Sequence, residues 1–112
     1  MKKSVLLALA TVAACAPVPA PTSARYHAVG TEPFWDVTID ARDVTFTLAG
    51  AQPVRQPTPQ VIHGFAGEIY QTPRINVNIV HGQCSDGMSD RTYPDKVQVT
   101  VDGKRYEGCG GL

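Results

Sequence analysis

The residues that could form a nucleophilic catalytic site in this chain are two serines and three histidines. Ser85 and Ser89 lie close together, whereas His27, His63 and His81 are spread along the chain. A serine nucleophile needs a histidine base within hydrogen-bonding distance and often stands on a Gly-x-Ser-x-Gly turn, which this sequence lacks. Scattered histidines are more typical of surfaces and strand ends, so we predict that the protein is not an enzyme.

Metal ligands are few and do not cluster along the sequence. Asp86 and Asp90 stand four residues apart and could contact Ca²⁺, but the run lacks the closing Glu of an EF-hand. The sequence contains neither a Cys-x-x-Cys nor a His-x-x-x-His pair. We therefore expect no metal site and no other cofactor.

Residues 84–94, CSDGMSDRTYP, depart from the patterning of a strand. One interpretation is a compact loop in which Asp86 and Asp90 accept backbone N–H groups and Arg91 pairs with one of them. The other is a polar recognition loop, because binding residues concentrate on loops held by rigid scaffolds. The recognition loop would present Met88, Ser89, Asp90, Arg91 and Tyr93 to a partner.

Residues 30–35, GTEPFW, are a second departure from strand patterning. The interpretation we favour is structural. Gly30 would permit a tight turn, Pro33 would open a strand where no backbone donor is needed, and Trp35 would fill the core.

Strands are predicted wherever apolar and polar residues alternate with period two. Clear alternation covers residues 35–39, 44–48, 75–79 and 97–101, and weaker candidates are residues 26–29 and 61–70. Asp102-Gly103 favours a two-residue hairpin turn, whereas residues 49–60, with three prolines, predict an exposed crossover or a ragged edge. About seven short strands without a helix predict an all-β fold, a small antiparallel β-barrel or else a sandwich.

The N-terminus predicts export. Lys2 and Lys3 precede an apolar run that is about half the ~20 residues needed to cross a bilayer as a helix. Residues 12–15, VAAC, resemble the lipobox of bacterial lipoproteins, in which the signal is cut before a cysteine that receives acyl chains. This resemblance implies a signal peptide over residues 1–14 and lipidation of Cys15. The alternative is an ordinary cleavage site that happens to contain a cysteine.

The proline-rich residues 16–24, APVPAPTSA, are predicted to form a tether. Such a sequence favours polyproline II, which could hold a domain up to roughly 28 Å from the bilayer. We therefore divide the chain into the signal peptide, a lipidated cysteine with its tether over residues 15–24, and a folded domain over residues 25–112. Ala16, which is not Asp, resembles the pattern sorted to the outer membrane in Gram-negative bacteria.

Two further cysteines, Cys84 and Cys109, remain if Cys15 carries lipid. In an exported protein such a pair is more often a disulfide than two free thiols. We predict that Cys84 and Cys109 are bonded to each other.

Three motifs resemble the signature of a family of small bacterial envelope lipoproteins: GTEPFW, CSDGMSDRTYP and the YEGCG of residues 106–110. The resemblance runs from about residue 29 to residue 110. It implies an envelope location and a β-barrel, and no particular reaction. That family is expected to have an Ala and a basic residue after the last cysteine, whereas this chain has Gly110 and Gly111.

The charge balance argues against nucleic acid as a partner. Ten Lys and Arg balance ten Asp and Glu over the chain, and loss of Lys2 and Lys3 would leave a net charge of −2. Proteins that bind nucleic acid cluster basic residues on one face. Apart from the membrane that holds its lipid, the expected partner is therefore a protein.

We predict a non-enzymatic binding module, lipid-anchored at the periplasmic face of the outer membrane. Membrane-bound lysozyme inhibitors are also small lipobox-bearing β-barrels with a disulfide, so a host lysozyme is one candidate partner and an envelope protein is another. Ser89 and Arg91 could enter the acidic cleft of a lysozyme. The alternative is a structural or stress-related envelope lipoprotein with no small ligand.

Overall fold

A computed structural model describes residues 25–87 and 90–112 of the chain. These residues form one antiparallel sheet of nine strands and contain no helix. The strands are β1 (Tyr26–Gly30), β2 (Trp35–Ile39), β3 (Asp43–Leu48), β4 (Val54–Pro57), β5 (Ile62–His63), β6 (Gly67–Gln71), β7 (Ile75–Ser85), β8 (Thr92–Val101) and β9 (Lys104–Gly110). Their order across the sheet is β4-β3-β2-β1-β9-β8-β7-β6-β5.

The sheet curls into a half-barrel around one core. Val37 and Val44 on β2 and β3 are fully buried, and so are Ile75 and Val77 on β7. All four belong to a single hydrophobic cluster, although four strands separate β3 from β7 in the sheet. A flat sheet could not bring these side chains together, so burial of the alternating apolar face requires the curl.

The prediction of an all-β antiparallel fold is confirmed, but about seven strands was wrong, because the described residues form nine. The two edge strands account for the difference. β4 lies within the proline-containing segment 49–60, and Pro57 is tolerated there because an edge strand leaves backbone donors unpaired on one side. β5 has two residues, too few to show alternation. Among the described residues no ladder joins β4 to β5, so the sheet is a curled half-barrel with two edges.

Two tight turns fix the register of the hairpins. Asp102 and Gly103 both have positive φ, 48° and 87°, as the predicted hairpin turn requires. In the other turn the Asp40 side chain accepts hydrogen bonds from the backbone N–H groups of Arg42 and Asp43, each at 2.8 Å. These bonds lower the pKa of the Asp40 carboxyl.

The GTEPFW segment connects β1 to β2 and anchors one end of the core. Trp35 is 4 % exposed and its ring centroid lies 5.9 Å from that of Phe46, which confirms its predicted core position. Gly30 pairs with Trp35 at the end of β1, and a Cβ at Gly30 would overlap the Trp35 indole. Glycine is therefore needed for close packing rather than for the predicted turn. Pro33 lies within the turn and does not open a strand.

Strands extend into both ends of the segment 84–94, for which a loop was predicted. β7 continues to Ser85 after a register shift between His81 and Cys84, and β8 begins at Thr92. The connection is thus confined to residues 86–91. The predicted disulfide is confirmed: Cys84 and Cys109 are bonded with their Cα atoms 5.6 Å apart, joining β7 to β9.

Candidate functional site

The face of the sheet opposite the core carries a cleft beside the disulfide, which we call the outer-face cleft. It has a volume of about 460 Å³ and is bounded by β1, β7, β8 and β9. Both cysteines line it, so the Cys84–Cys109 bond forms part of its wall. The covalent link fixes the end of β7 relative to β9 at this position.

The floor of the outer-face cleft consists of two rows of side chains. The strand register places Asn78, Gln98 and Glu107 opposite one another on β7, β8 and β9, and directly paired residues share a face. We call these three residues the polar row. The adjacent row carries Val80, Lys96, Cys109 and Val29 in the same way.

The polar row has side-chain donors and acceptors that form no hydrogen bond with other described residues. Within residues 25–87 and 90–112, the side chains of Asn78, Gln98 and Glu107 form no hydrogen bond or ion pair, and neither does that of Lys96. Two amides that both donate and accept therefore lie beside a carboxylate and an ammonium group. Such a set of groups can recognise a polar ligand.

A second cleft of about 470 Å³ adjoins the first at the turn between β1 and β2. The two clefts share Val29, Gly30, Thr31 and Asp86. Phe34 lines the second cleft and is 56 % exposed, an unusual position for a large aromatic side chain. The two clefts together form an extended depression with an aromatic ring at one end.

The residues predicted to bind a partner differ in their exposure to solvent. Asp90 and Arg91 are exposed in the connection between β7 and β8. Tyr93 lies on β8 and is only 7 % exposed. It is therefore buried in the protein and is not placed to contact a partner as predicted. Met88 and Ser89 lie outside the described residues, as does Cys15.

Two residues of the predicted loop that were not among its predicted contact residues line the cleft. Ser85 and Asp86 both line the outer-face cleft, and Asp86 lines the second cleft as well. The Ser85 hydroxyl accepts a hydrogen bond from the Gly87 N–H at 3.3 Å. In the part of the chain that the structure describes, Ser85 bonds to none of the three histidines.

A hydrogen-bonded chain of four side chains was missed by sequence reasoning. Tyr26 donates to Asp95 at 2.8 Å, and the two ring nitrogens of His81 lie 2.7 Å from Asp95 and 3.0 Å from Glu68. The four residues come from β1, β8, β7 and β6, so the chain of contacts runs across the half-barrel. We call it the His81 network.

The electrostatics of the His81 network favour a charged histidine. Hydrogen bonds to Asp95 and then to Glu68 raise the pKa of His81 to about 8. Burial, and then the hydrogen bond to Asp95, raise the pKa of Tyr26 well above its usual range. With both ring nitrogens engaged by carboxylates, His81 has no free nitrogen to act as a general base. The network therefore links four strands of the sheet.

The C-terminal glycines make room for the His81 network. A Cβ at Gly110 would lie 2.6 Å from the Tyr26 hydroxyl, and one at Gly111 would lie 2.8 Å from the Asp95 carboxylate. Small residues here let the Tyr26 hydroxyl reach Asp95.

The described residues show neither a cluster of metal ligands nor a membrane-spanning helix. They contain no group of three or more His, Cys, Asp or Glu that could hold a metal ion. None of them belongs to a helix long and apolar enough to span a membrane.

The fold and the clefts define a class of protein: a small disulfide-linked half-barrel with a polar cleft on its outer face. No protein-family model, curated protein or solved structure matches the chain. Function must therefore be argued from the residues and their arrangement.

Proposed function

We propose that this protein is a lipid-anchored lipoprotein of the bacterial envelope whose folded domain is a non-enzymatic binding module. The observation that carries the binding role is the polar row, because Asn78, Gln98 and Glu107 have no side-chain partner among the described residues and line a cleft. The surrounding sheet is covalently linked at that position. Binding groups on a rigid support lose little conformational entropy when a ligand arrives.

The lipid anchor is supported by sequence. The basic start, the apolar run and residues 12–15 agree with a lipobox, and Cys15 then becomes the acylated first residue. The motifs GTEPFW and CSDGMSDRTYP support the envelope location through their resemblance to envelope lipoproteins. Ala16 supports attachment to the periplasmic face of the outer membrane in a Gram-negative cell.

A protein partner is supported by the connection between β7 and β8. Asp90 and Arg91 are exposed there, and Asp86 in the same connection lines both clefts. A partner seated on this connection would also cover the mouth of the outer-face cleft. One such partner is a host lysozyme, whose acidic active-site cleft would receive Ser89 and Arg91.

Anchoring is tested by expressing the full chain with radiolabelled palmitate and separating detergent and aqueous phases. We expect label and detergent partitioning for the natural sequence and loss of both for Cys15→Ser. Cys84→Ser serves as the control for loss of a different cysteine. A Cys15→Ser chain that still enters the detergent phase contradicts the anchor.

Binding is tested with immobilised full chain carrying Cys15→Ser, exposed to envelope extract and to host secretions. We expect capture of a protein that Arg91→Ala weakens and that the matched exposed variant Arg55→Ala retains. If lysozyme is captured, the rate of cell-wall lysis should fall as the protein is added. Equal capture by both arginine variants, or no capture at all, contradicts the proposed protein partner.

A further inference from the structure

The charges around the outer-face cleft argue against an anionic ligand. Lys96 is the one cationic side chain among the described residues lining the cleft, whereas Glu107 and Asp86 are carboxylates. A phosphate-rich ligand would meet more negative than positive charge. An apolar chain fits no better, because it would cut the polar row off from water without replacing the lost hydrogen bonds.

The backbone around the cleft argues against an added peptide strand. Strand addition needs an unpaired sheet edge, and the edges of this sheet are β4 and β5. The floor of the cleft is formed by β7, β8 and β9, each of which has a strand on both sides. A ligand in the cleft is therefore recognised by side chains.

The polar row has the spacing and chemistry to bind a short saccharide. Neighbouring strands lie about 4.8 Å apart, so the three side chains of the row extend over about 10 Å, enough for two linked sugar rings. Sugar hydroxyls donate and accept hydrogen bonds, as do the amides of Asn78 and Gln98, while Glu107 accepts. A neutral ligand also suits a cleft whose few charges are of mixed sign.

The adjacent row, which contains Val80 and Val29, indicates which type of sugar the cleft favours. Val80 lies two residues after Asn78 on the same face of β7 and presents its methyl groups to the cleft beside that amide, and Val29 lies at the opposite end of the row, beside Cys109. An N-acetyl group carries one amide and one methyl, which match the adjacent Asn78 and Val80 side chains. The exposed ring of Phe34 in the adjoining cleft offers a surface on which a further sugar ring can stack.

We infer that the outer-face cleft binds a short saccharide bearing N-acetyl groups, held by Asn78, Gln98 and Glu107. This inference rests on the proposed binding function and specifies a ligand for its cleft. It places the saccharide beside Ser85 and Asp86, on the face opposite the core.

The test is titration of the full chain carrying Cys15→Ser with tri-N-acetylchitotriose, followed by calorimetry. Maltotriose, of equal length and without N-acetyl groups, is the ligand control. We expect saturable binding of the N-acetylated probe with a Kd at or below about 1 mM, and binding of maltotriose at least tenfold weaker. Asn78→Ala and Gln98→Ala should each weaken binding about fivefold or more.

Asn76→Ala is the matched control, because Asn76 lies on the same face of β7 two residues before Asn78 and does not line the cleft. It should bind like the natural sequence, and thermal melting of each variant checks that it is folded. If Asn78→Ala fails to fold, Gln98→Ala on β8 provides the same test.

Three results overturn the inference: no saturable binding of tri-N-acetylchitotriose, equal binding of maltotriose, or equal weakening by Asn76→Ala and Asn78→Ala. None of these results bears on the capture experiment, which depends on Arg91. Failure of the sugar titration with success of the capture removes the saccharide and retains the binding module. Failure of both removes the proposed function as well.

Discussion

The imidazole of His81 lies between two carboxylates, and its Nδ1 atom is 2.7 Å from a carboxylate oxygen of Asp95. Asp95 is 6 % exposed, the one charged residue in the buried part of the described chain. His81 and Asp95 face each other directly across β7 and β8. A buried carboxylate is expensive unless it is paired, so the protonated ring compensates a charge that the fold has removed from water.

The His81 network predicts that thermal stability falls with rising pH. The folded protein raises the pKa of His81 from 6.5 to about 8, so it holds the proton more tightly than the unfolded chain does. The resulting stabilisation is complete below pH 6.5 and is lost as pH rises through about 8. The measurement is Tm by circular dichroism at intervals between about pH 6 and pH 9.

The matched control for this pH dependence is the pair His81→Gln and His63→Gln. His63 is an exposed histidine on β5 that does not take part in the His81 network. His81→Gln should lower Tm at acidic pH and flatten the profile over this range, whereas His63→Gln should leave the profile unchanged. Identical profiles for His81→Gln and the natural sequence would refute the role given to His81.

The disulfide between Cys84 and Cys109 should contribute substantially to stability. It closes a loop with a sequence separation of 25, which is worth on the order of 3 kcal/mol in the chain-entropy account. We expect chemical denaturation of the Cys84→Ser, Cys109→Ser double variant to show a loss of about this size. Reduction of the natural protein should produce a similar loss, and an unchanged midpoint in both cases would rule the prediction out.

Arg91 is exposed and Tyr93 is buried, so truncation of these two residues of the predicted recognition loop should have different effects. Arg91→Ala and Met88→Ala should each weaken binding of a captured partner by more than about 1 kcal/mol, with Tm nearly unchanged. Tyr93→Ala should instead lower Tm, because Tyr93 is 7 % exposed and its removal leaves a cavity. A loss of several degrees for Arg91→Ala without any effect on binding would show that Arg91 is a structural residue.

Gly110→Ala should destabilise the protein by about 1 to 3 kcal/mol. The added methyl would lie 2.6 Å from the Tyr26 hydroxyl and 2.8 Å from the Ala28 Cβ, so neighbours must move. Gly82→Ala is the matched control because a Cβ there meets nothing within 4 Å. Adding Tyr26→Phe to Gly110→Ala should recover part of the stability, and absence of any recovery would mean that the hydroxyl is not the crowded group.

The strands with strict alternation were predictable because one face of each is buried. Val97, Val99 and Val101 on β8 are buried while Gln98 and Thr100 between them are not, which is the pattern that period two describes. The edge strands were not predictable in the same way. β4 alternates only between half-buried and exposed residues, so its sequence has no apolar face to reveal it.

The sites depend on register, which the sequence does not specify. His81 and Asp95 are 14 residues apart and meet because the register of β7 and β8 pairs them directly. The sequence identifies Asn78 and Gln98 only as polar residues of alternating strands, and it gives no indication of a role for Glu107. Asn78 and Gln98 lie on the polar faces of two predicted strands, but the pairing of those strands and its offset were needed to align them with Glu107.

The first and last of the nine described strands lie side by side in the middle of the sheet. Each half of the sheet, β4-β3-β2-β1 and β9-β8-β7-β6-β5, is built from strands that are neighbours in sequence. The strand pairing that joins the two halves is that of Ala28 with Gly110 and Val29 with Cys109. Contacts this distant in sequence form late, because the loop that they close is long. Each half of the sheet can therefore pair its own strands early, and the core closes only when β9, the last strand along the described chain, reaches β1.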